Sequence, residues 1–465
     1  MQTYPMLIES SQVRSKKLIE VINPRTEEPV GEIYDATEEQ MDKALAAASN
    51  GFSVWSKMPP KERRHIILNY ADILDENRDR LIHVLMQETG KPFENAEYDF
   101  EMLTTCLRFF VEEVERLDQP VLHDPDGRFL HYIQRQSLGV TIGFLAWNFP
   151  LLNLGYKLGP VLASGCSCVL KPSELTPIAS LEAVYLAKKA GIPDGVINMI
   201  TCADHSVTNR LLQSDVPAMI TMIGSTRGGI EVMQESCTSI KHFSVELGGN
   251  SPVLIYDDAD IQMAAEKVVG LKFVNTGQVC VSPNRCYVHE SVYDSFVEAA
   301  VDCAKDIDIG PMITAEARER VLEKIEQAVD MGAEIVCGGN VIQGSGYYME
   351  PTILKDVSEE MRLACEEVFG PVLSIIPFSD KDNEIELANN TSCGLAAYVF
   401  TKGLSRGLKA ASGIEAGSVC VNEPHYGVQL PHGGLKQSGV GKDCSQYSLE
   451  EYLTVKRVSV LLDEA

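Results

Sequence analysis

A cysteine and a glutamate stand 280 − 246 = 34 positions apart, each in a segment rich in turn-forming residues. Cys280 ends the run Phe273-Val-Asn-Thr-Gly-Gln-Val-Cys280, and Glu246 begins the run Glu246-Leu-Gly-Gly249. A thiolate is a strong nucleophile, and a carboxylate within reach can activate the water that releases a thioester. Taken singly, most cysteines are small buried hydrophobes and most glutamates are solvated. The pair therefore predicts covalent catalysis if the fold brings the two side chains together.

The residues around this pair favour loops over helices. Asn275, Gly277 and Gln278 form a turn-rich, helix-poor segment, which suits a thiol displayed on a loop. The two glycines after Glu246 let the backbone pass close to a ligand or to another strand. Both segments thus have the local character of functional loops.

The elements that must hold these loops follow from hydrophobic periodicity. The first hundred residues are predicted to be helical, with apolar residues at helical spacing in 41–55 and 62–90. From about Leu138, short apolar runs broken by Gly and Pro alternate with helical stretches, which predicts a parallel, doubly wound sheet. Its strands are expected at 140–147, 166–172, 196–201, 218–225 and 251–256, with helices at 181–191 and 206–214.

A second set of alternating elements follows the cysteine. Two α/β domains are therefore expected, with the cysteine loop near their junction. The predicted strands of this set are 284–289, 333–339, 372–378 and 395–401, and its helices are 292–305, 318–332 and 381–390.

Length, charge and cysteine content narrow the class of protein. A chain of 465 residues suggests two or three domains, and a net charge of −26 disfavours nucleic acid or an anionic membrane as a partner. The thirteen cysteines lack the spacing of a disulfide scaffold, and Cys166 and Cys168 are too close for a C-x-x-C metal clip, so free thiols and no metal are expected. Without an apolar run of membrane-spanning length or a secretory layout at the start, the protein is expected in the cytoplasm.

Two further motifs have the chemistry of a dinucleotide site. Lys171-Pro-Ser-Glu174 follows a predicted strand, where the cation can bond ribose hydroxyls or phosphate and the anion can accept bonds from a ribose diol. Gly224-Ser-Thr-Arg-Gly-Gly229 lies between a predicted strand and a helix, so its backbone N–H groups can meet a pyrophosphate. A solvated turn is the alternative for the first motif, and the second is not the G-x-G-x-x-G fingerprint.

Taken together, the motifs resemble those of the NAD(P)-dependent aldehyde dehydrogenase superfamily over nearly the whole chain. The cysteine and glutamate motifs match that family in order and separation, and the closing segment 431–439 is similar to its semialdehyde, lactaldehyde and aminoaldehyde branches. The other matching motifs are W-N-F-P at 147–150, K-P-S-E at 171–174, G-S-T-x-x-G at 224–229 and E-E-x-F-G-P at 366–371.

The resemblance implies a role for each matching residue. Cys280 would be the nucleophile, Glu246 the general base, and Asn148 an oxyanion-hole donor beside the Cys280 backbone N–H. Lys157 would lie behind the site, as a proton relay or simply as an ion-pair partner. The implied cofactor contacts are Trp147, Lys171, Ser173, Glu174, Gly224, Ser225, Gly229, Leu247, Glu367 and Phe369.

The expected cofactor is NAD rather than NADP. A carboxylate at Glu174 would face the additional phosphate of NADP at short range and repel it. Glu367 is implied to hold the nicotinamide ribose, and Phe369 to pack beside the nicotinamide end.

The sequence predicts the substrate less directly than it predicts the reaction, because no motif identifies the aldehyde. Related semialdehyde and lactaldehyde enzymes often carry an arginine immediately before the lysine that matches Lys157, whereas this chain has Tyr156, so the usual carboxylate clamp is missing. The candidate substrate contacts are Tyr156, Val279, Val281 and His425. His425 would bind a carboxylate, sulfonate or hydroxyl group, or it is merely solvated. A small polar aldehyde, such as a semialdehyde, a hydroxyaldehyde or a sulfonated aldehyde, is the first candidate, and an ω-aminoaldehyde is the second.

Two other functions compete with hydrolytic aldehyde oxidation. A coenzyme-A-acylating dehydrogenase uses the same thiol but needs no general base at Glu246. A non-catalytic descendant of the fold should have lost its nucleophile, base or oxyanion donor, whereas all three are present.

The resemblance also implies a domain organisation within the α/β class. A Rossmann-type NAD-binding domain would comprise 1–117 and 138–248, an α/β catalytic domain 249–436, and a small β oligomerisation arm 118–137 and 437–465. Such an arm predicts a homodimer or homotetramer, and plain edge strands are the alternative. The segment 301–311 is shorter than the corresponding segment usual in the family. Either this loop is naturally short, or residues are missing from the sequence.

Overall fold

The computed structural model describes residues 1–305 and 307–462. Asp306, in the short segment 301–311, and residues 463–465, in the predicted arm, lie outside the described residues. The strands, in chain order, are β1 (Thr3–Tyr4), β2 (Met6–Ile8), β3 (Ser11–Val13), β4 (Leu18–Ile22), β5 (Pro29–Tyr34), β6 (Val121–Leu122), β7 (Phe129–Ser137), β8 (Val140–Leu145), β9 (Ser167–Pro172), β10 (Ile197–Met199), β11 (Pro217–Ile223), β12 (His242–Glu246), β13 (Ser251–Ile255), β14 (Pro283–His289), β15 (Glu334–Cys337), β16 (Thr352–Lys355), β17 (Val372–Phe378), β18 (Cys393–Gly394), β19 (Ala396–Phe400), β20 (Ser418–Val421), β21 (Leu435–Lys436), β22 (Gly439–Val440) and β23 (Leu453–Leu461).

The helices lie mainly between these strands. They are α1 (Glu38–Trp55), α2 (Pro60–Glu76), α3 (Arg78–Thr89), α4 (Phe93–Glu113), α5 (Pro150–Ser164), α6 (Ile178–Tyr185), α7 (Ala187–Ala190), α8 (His205–Gln213), α9 (Thr226–Glu235), α10 (Ile261–Phe273), α11 (Tyr293–Ala304), α12 (Ala315–Asp330), α13 (Arg362–Cys365), α14 (Glu384–Asn389), α15 (Leu404–Gly413) and α16 (Ser445–Glu451). Short 3-10 turns cover Val114–Arg116, Val274–Gly277 and Glu290–Val292.

The helical prediction for the first hundred residues is wrong for the first 34. Strands β1 to β5 lie there, and β5 has alternating burial that is typical of a strand with one covered face. Helix α1 begins where Thr37 and Gln40 form a reciprocal capping box. The predicted helix at 62–90 is two helices, α2 and α3, which meet at Asn77. Short strands of two to six residues carry too little periodicity to be distinguished from loops.

An eight-stranded sheet forms the first α/β unit. Its order is β22-β12-β11-β8-β9-β10-β2-β3, and the five central strands from β12 to β10 are parallel. Ile223 of β11 pairs with Glu246 of β12, and Phe144 of β8 pairs with Lys171 of β9. The carboxyl ends of these neighbouring strands therefore lie level, along one edge where doubly wound sheets bind ligands.

A seven-stranded sheet forms the second α/β unit. Its order is β15-β16-β17-β14-β13-β19-β20, and all neighbours are parallel except β15 and β16. The predicted strand at 251–256 belongs to this sheet as β13, between β14 and β19. The cysteine loop lies between β13 and β14, after α10, so it is built on the centre of the second sheet.

A separate three-stranded sheet is formed by strands from both segments of the predicted arm, whereas β22, also within 437–465, belongs to the eight-stranded sheet. The strands β7 and β23 pair antiparallel over nine residues, from Ser137 with Leu453 to Phe129 with Leu461, and β6 lies on the other side of β7. These segments are 315 residues or more apart in the chain, so their pairing is a long-range feature. Within the described residues, no helix is both long enough and apolar enough to cross a membrane.

Candidate active site

The carboxyl ends of four adjacent parallel strands build one cleft. The segments that follow β8, β9 and β11 carry Trp147 and Asn148, Ser173 and Glu174, and Gly224 and Ser225, while Glu246 ends β12 itself. The cleft has a volume of about 680 Å³. Of the predicted site residues, those that line it are Trp147, Asn148, Lys171, Ser173, Glu174, Gly224, Ser225, Glu246, Cys280, Glu367 and Phe369. The predicted cofactor motifs and the thiol thus open onto the same space.

Two predicted cofactor contacts are packed together instead of lining the cleft. A side chain added at Gly229 would lie 2.6 Å from a methyl carbon of Leu247, so the glycine lets helix α9 rest against that leucine. Both residues are buried. The structure therefore places Gly229 and Leu247 beneath the cleft, where they set the position of α9.

The adenosine end of the predicted site carries paired charges and a helix start. Lys171 Nζ lies 3.6 Å from Glu174 Oε2, and Glu174 remains about one-third exposed. Ser225 caps α9, with its hydroxyl accepting from the Gly228 N–H at 3.1 Å. The helix start offers N–H groups and a positive dipole end to an anion, so these residues fit the diol and the phosphates of a dinucleotide.

The other end of the cleft holds Glu367 between the two sheets. Its Oε1 accepts from the Gly249 N–H at 3.0 Å, and burial raises its pKa to about 7. The rings of Trp147 and Phe369 meet edge to face at 5.3 Å. A carboxylate and two aromatic rings beside the thiol fit a ribose and a flat nicotinamide ring.

The cysteine loop is held in a sharp, left-handed bend. Asn275, Thr276 and Gly277 have φ values of 49°, 59° and 70°. A side chain at Gly277 would lie 2.1 Å from the Gly370 carbonyl oxygen, so the bend requires glycine there. Thr276 donates to the carbonyl of Gly310 at 2.9 Å, which ties the loop to the segment after α11.

Asn148 is positioned by backbone and side-chain hydrogen bonds. Its Nδ2 donates to the Gln278 carbonyl at 3.1 Å, and its own carbonyl accepts from Lys91 at 2.8 Å and from Asn275 at 3.0 Å. Lys91 is itself buried and paired with Asp99 at 2.7 Å. The amide of Asn148 is thus fixed beside the cysteine loop.

A histidine, His432, lies close to both the thiol of Cys280 and the carboxylate of Glu246. His432 Nε2 lies 3.5 Å from Glu246 Oε1 and 4.0 Å from Cys280 Sγ. Burial and then the charge of Glu246 raise the pKa of the Cys280 thiol well above its ordinary value. Burial alone would lower the pKa of His432. Its pairing with Glu246 and the charge of the nearby Asp443 have a larger, opposite effect, so the pKa of His432 is raised.

This histidine is the main functional candidate that sequence reasoning missed. The sequence prediction chose His425, which is exposed and does not line the cleft. His432 stands seven positions later, in the Pro431-His-Gly-Gly segment, and contacts the rings of Tyr156 and Tyr426, each with ring centroids 6.1 Å away. The adjacent glycines were a signal of close backbone approach, but nothing local showed which histidine turns inward.

The remaining predicted substrate residues take different positions. Tyr156 is buried beside His432, where burial raises the pKa of its hydroxyl. Val281 is buried, and its carbonyl accepts from the Tyr398 hydroxyl at 2.6 Å. Val279 is partly buried against the cores of both α/β units. Tyr156 is therefore the predicted residue that reaches the aromatic cluster around His432.

Lys157 is a fully buried ion-pair partner. Its Nζ lies 2.7 and 2.8 Å from the two carboxylate oxygens of Asp443, and neither side chain is more than 1% exposed. Asp443 and His432 also exchange two backbone hydrogen bonds, at 2.7 and 2.6 Å. The pair thus supports the backbone that carries His432, and of the two roles expected for Lys157 the geometry shows the ion pair.

Breaking this buried pair is expected to cost stability. Lys157→Met leaves Asp443 as an uncompensated buried carboxylate, which should lower the free energy of unfolding by about 3 to 5 kcal/mol. Chemical denaturation followed by fluorescence measures the change. Lys43→Met, in an exposed pair with Glu39 on α1, is the matched control and should leave the free energy of unfolding unchanged within error. Equal stability of the two variants would contradict the role of the pair.

A doubly wound sheet whose strand ends carry dinucleotide motifs, joined to a cysteine loop on a second sheet, defines an oxidoreductase of the α/β class. The model of the aldehyde dehydrogenase family matches residues 10–458, so the chain belongs to that family. It is 36% identical to the mitochondrial succinate-semialdehyde dehydrogenase of rice (Oryza sativa subsp. japonica), over 95% of this chain and 86% of that protein. It is 34% identical to the 3-sulfolactaldehyde dehydrogenase of Pseudomonas putida, over 94% and 92%.

Solved structures agree with this assignment. The crystal structure of an NADP-dependent enzyme of E. coli matches with a TM-score of 0.97 and 33% identity, over 99% of this chain and 98% of that one. The predicted family, the fold class and the assignment as an NAD(P)-dependent aldehyde dehydrogenase are confirmed.

Proposed function

We propose that this enzyme oxidises a small polar aldehyde to its carboxylic acid, with NAD as the oxidant and Cys280 as the nucleophile. The observation that carries the proposal is that the thiol, the buried Glu246 carboxylate and the Asn148 amide all line the cleft into which the cofactor motifs open. Overall, aldehyde, NAD⁺ and water give acid, NADH and a proton.

The proposed mechanism begins with the thiol. His432, whose Nε2 lies 4.0 Å from Cys280 Sγ, accepts the thiol proton and passes it to solvent, and the sulfur bonds to the aldehyde carbon. The Asn148 amide and the Cys280 backbone N–H donate to the oxygen, which becomes negatively charged. Bound NAD supplies the acceptor for the hydride that leaves this carbon, and a thioester remains on Cys280.

Hydrolysis then requires a base near the thioester. Glu246 is in place to take a proton from water as the water attacks the acyl carbon, which breaks the carbon–sulfur bond and returns the thiol. This carboxylate supports the hydrolytic reaction over transfer to coenzyme A, which would not need it. The presence of nucleophile, base and amide in one cleft also argues against a non-catalytic protein.

The preference for NAD rests on Glu174. Its carboxylate lies beside Lys171 at the predicted adenosine end, where the 2′-phosphate of NADP would meet a negative charge. Glu174→Ser should therefore raise the ratio of kcat/KM with NADP to that with NAD by about tenfold or more. Steady-state kinetics with both cofactors measure this ratio. A wild-type preference for NADP, as the name of the E. coli structure states for that enzyme, would overturn the assignment.

The surroundings of the thiol support a small polar substrate. Tyr156, Tyr426 and His432 form an aromatic cluster with polar tips beside Cys280. The ring nitrogens of His432 and the hydroxyl of Tyr426 are polar groups that can bond a hydroxyl, carboxylate or sulfonate group of the substrate. The two relatives described above are named for aldehydes with a carboxylate or a sulfonate. An ω-aminoaldehyde is therefore the second candidate.

The sheets support the proposed domain organisation and the proposed assembly into a homo-oligomer. The eight-stranded sheet, apart from its edge strand β22, supports the proposed NAD-binding domain, 1–117 and 138–248, and the seven-stranded sheet supports the catalytic domain, 249–436. The strand β23 exposes Val455, Val460 and Leu461, which supports an arm that joins a second copy into a homodimer or homotetramer.

All thirteen cysteines are free, which supports a reducing compartment such as the cytoplasm.

The decisive experiment measures NADH production over a panel of aldehydes. The panel contains carboxylated, sulfonated, hydroxylated and amino-substituted aldehydes, each with and without coenzyme A. The proposal expects the highest kcat/KM with an anionic or hydroxylated aldehyde and no dependence on coenzyme A. Strict dependence on coenzyme A, or the highest kcat/KM with an aminoaldehyde, would overturn it.

A further inference from the structure

Three metal-ligating side chains meet beside the cleft, and two of them, Glu246 and Cys280, line it. The Sγ of Cys280, the Nε2 of His432 and a carboxylate oxygen of Glu246 all lie within 4.8 Å of one another. Across 1–305 and 307–462, no other group of three His, Cys, Asp or Glu side chains has this spacing. The group combines a thiol, an imidazole and a carboxylate, a donor set that suits Zn²⁺.

The distances fit a tetrahedral ion. With usual zinc bond lengths, a sulfur and a nitrogen on one Zn²⁺ are about 3.6 Å apart, and a nitrogen and an oxygen about 3.4 Å. The observed separations are 4.0 Å from Cys280 Sγ to His432 Nε2 and 3.5 Å from His432 Nε2 to Glu246 Oε1. Two of the three ligand pairs are therefore within about half an ångström of the separations in a zinc site, and the third, from the sulfur to the carboxylate oxygen, is within 4.8 Å.

An unpartnered acceptor points to the same place. Glu246 is 4% exposed, and its Oε1, 3.5 Å from His432 Nε2, forms no hydrogen bond. The buried Lys157 is paired with Asp443. A buried carboxylate oxygen without a hydrogen bond loses hydration that a cation bound to both Glu246 and His432 would replace.

The histidine is held in place independently of any ligand. The backbone N–H and the backbone carbonyl of His432 each form a hydrogen bond with the backbone of Asp443. The ring of His432 contacts Tyr156 and Tyr426. A ligand whose orientation is set in advance loses less freedom when it binds a metal.

We propose that Cys280, His432 and Glu246 form a reversible Zn²⁺ site, whose fourth position opens onto the cleft. On binding, the thiol proton and any proton on the imidazole leave to solvent, the sulfur becomes a coordinated thiolate, and no group is oxidised or reduced. The site rests on geometry alone. Its consequence, inhibition of aldehyde oxidation because the nucleophile is occupied, rests on the proposed function.

Zinc binding is measured directly, without an aldehyde. The metal-free enzyme, with the exposed Cys237 and Cys365 replaced by serine, is titrated with Zn²⁺ in competition with a chromophoric chelator. One Zn²⁺ per chain is expected. His432→Phe keeps the ring but removes the ligand atom, and should weaken binding by more than about tenfold, since loss of even an outer partner of a ligand has that effect. His425→Phe, the matched exposed histidine, should leave the affinity unchanged.

Protection of the thiol identifies the site. Stoichiometric Zn²⁺ should slow the alkylation of Cys280 by iodoacetamide, as followed by peptide mass spectrometry, and a chelator should restore it. NAD binding and circular dichroism establish that His432→Phe is folded. Unchanged Zn²⁺ affinity in folded His432→Phe, or unchanged alkylation of Cys280 with Zn²⁺ present, would overturn the proposal. Because no aldehyde is present, failure of the proposed oxidation would leave these readouts unaffected.

Discussion

Cys280→Ala is expected to lower kcat for aldehyde oxidation by roughly 10⁴-fold or more, the scale on which loss of a covalent nucleophile acts. The sulfur is the atom that bonds to the aldehyde carbon, and no other thiol lines the cleft in the part of the chain that the structure describes. Removing Sγ does not touch the strand ends that line the rest of the cleft, so NAD binding should persist.

The measurement is NADH formation under steady-state conditions, with NAD affinity determined separately by quenching of protein fluorescence. Cys237→Ala, at an exposed cysteine on the NAD-binding side, is the matched control and should retain the wild-type rate. If Cys280→Ala turned over at a comparable rate, a different nucleophile would be required.

Glu246→Gln has the second largest expected effect, a decrease of about 10²- to 10⁴-fold in the steady-state rate, the usual contribution of a general base. The amide is nearly the same size as the carboxylate but cannot take a proton from water. Transfer of the hydride would precede the blocked step, so acyl-enzyme should accumulate. A rapid burst of NADH followed by slow turnover, together with an acyl adduct on Cys280 in intact mass spectra, is the expected signature.

Alkylation of the thiol provides an independent check on this variant. The charge of Glu246 is one cause of the raised pKa of Cys280, so the glutamine variant should have a lower thiol pKa. A lower pKa means more thiolate at neutral pH, and iodoacetamide should react faster than with the wild type. Glu326→Gln, at an exposed glutamate on α12, should change neither reading. A normal steady-state rate in Glu246→Gln would rule out its role as base.

Much of the cleft was predictable because its residues follow strands in the chain. The runs before Trp147, Ser173 and Gly224 are buried and apolar, and they form β8, β9 and β11 as expected. The strands in the first 34 residues are shorter. Their hydrophobic periodicity extends over too few residues to distinguish a strand, and a helix was predicted there wrongly. Gly229 and Leu247 show a different limit, because a motif position can serve packing beneath a cleft instead of lining it.

The two α/β units could be inferred from local patterns, since burial, turn formation and strand ends depend on residues close in the chain. The family was inferred from the resemblance of the motifs, including those of the cysteine and the glutamate. The choice of His432 over His425, and the partner of Lys157, could not be inferred. Lys157 and Asp443 are 286 positions apart, and His432 meets Cys280 across 152. Such contacts arise only when segments distant in the chain pack together, and no short-range preference of the backbone determines which distant side chains will then be neighbours.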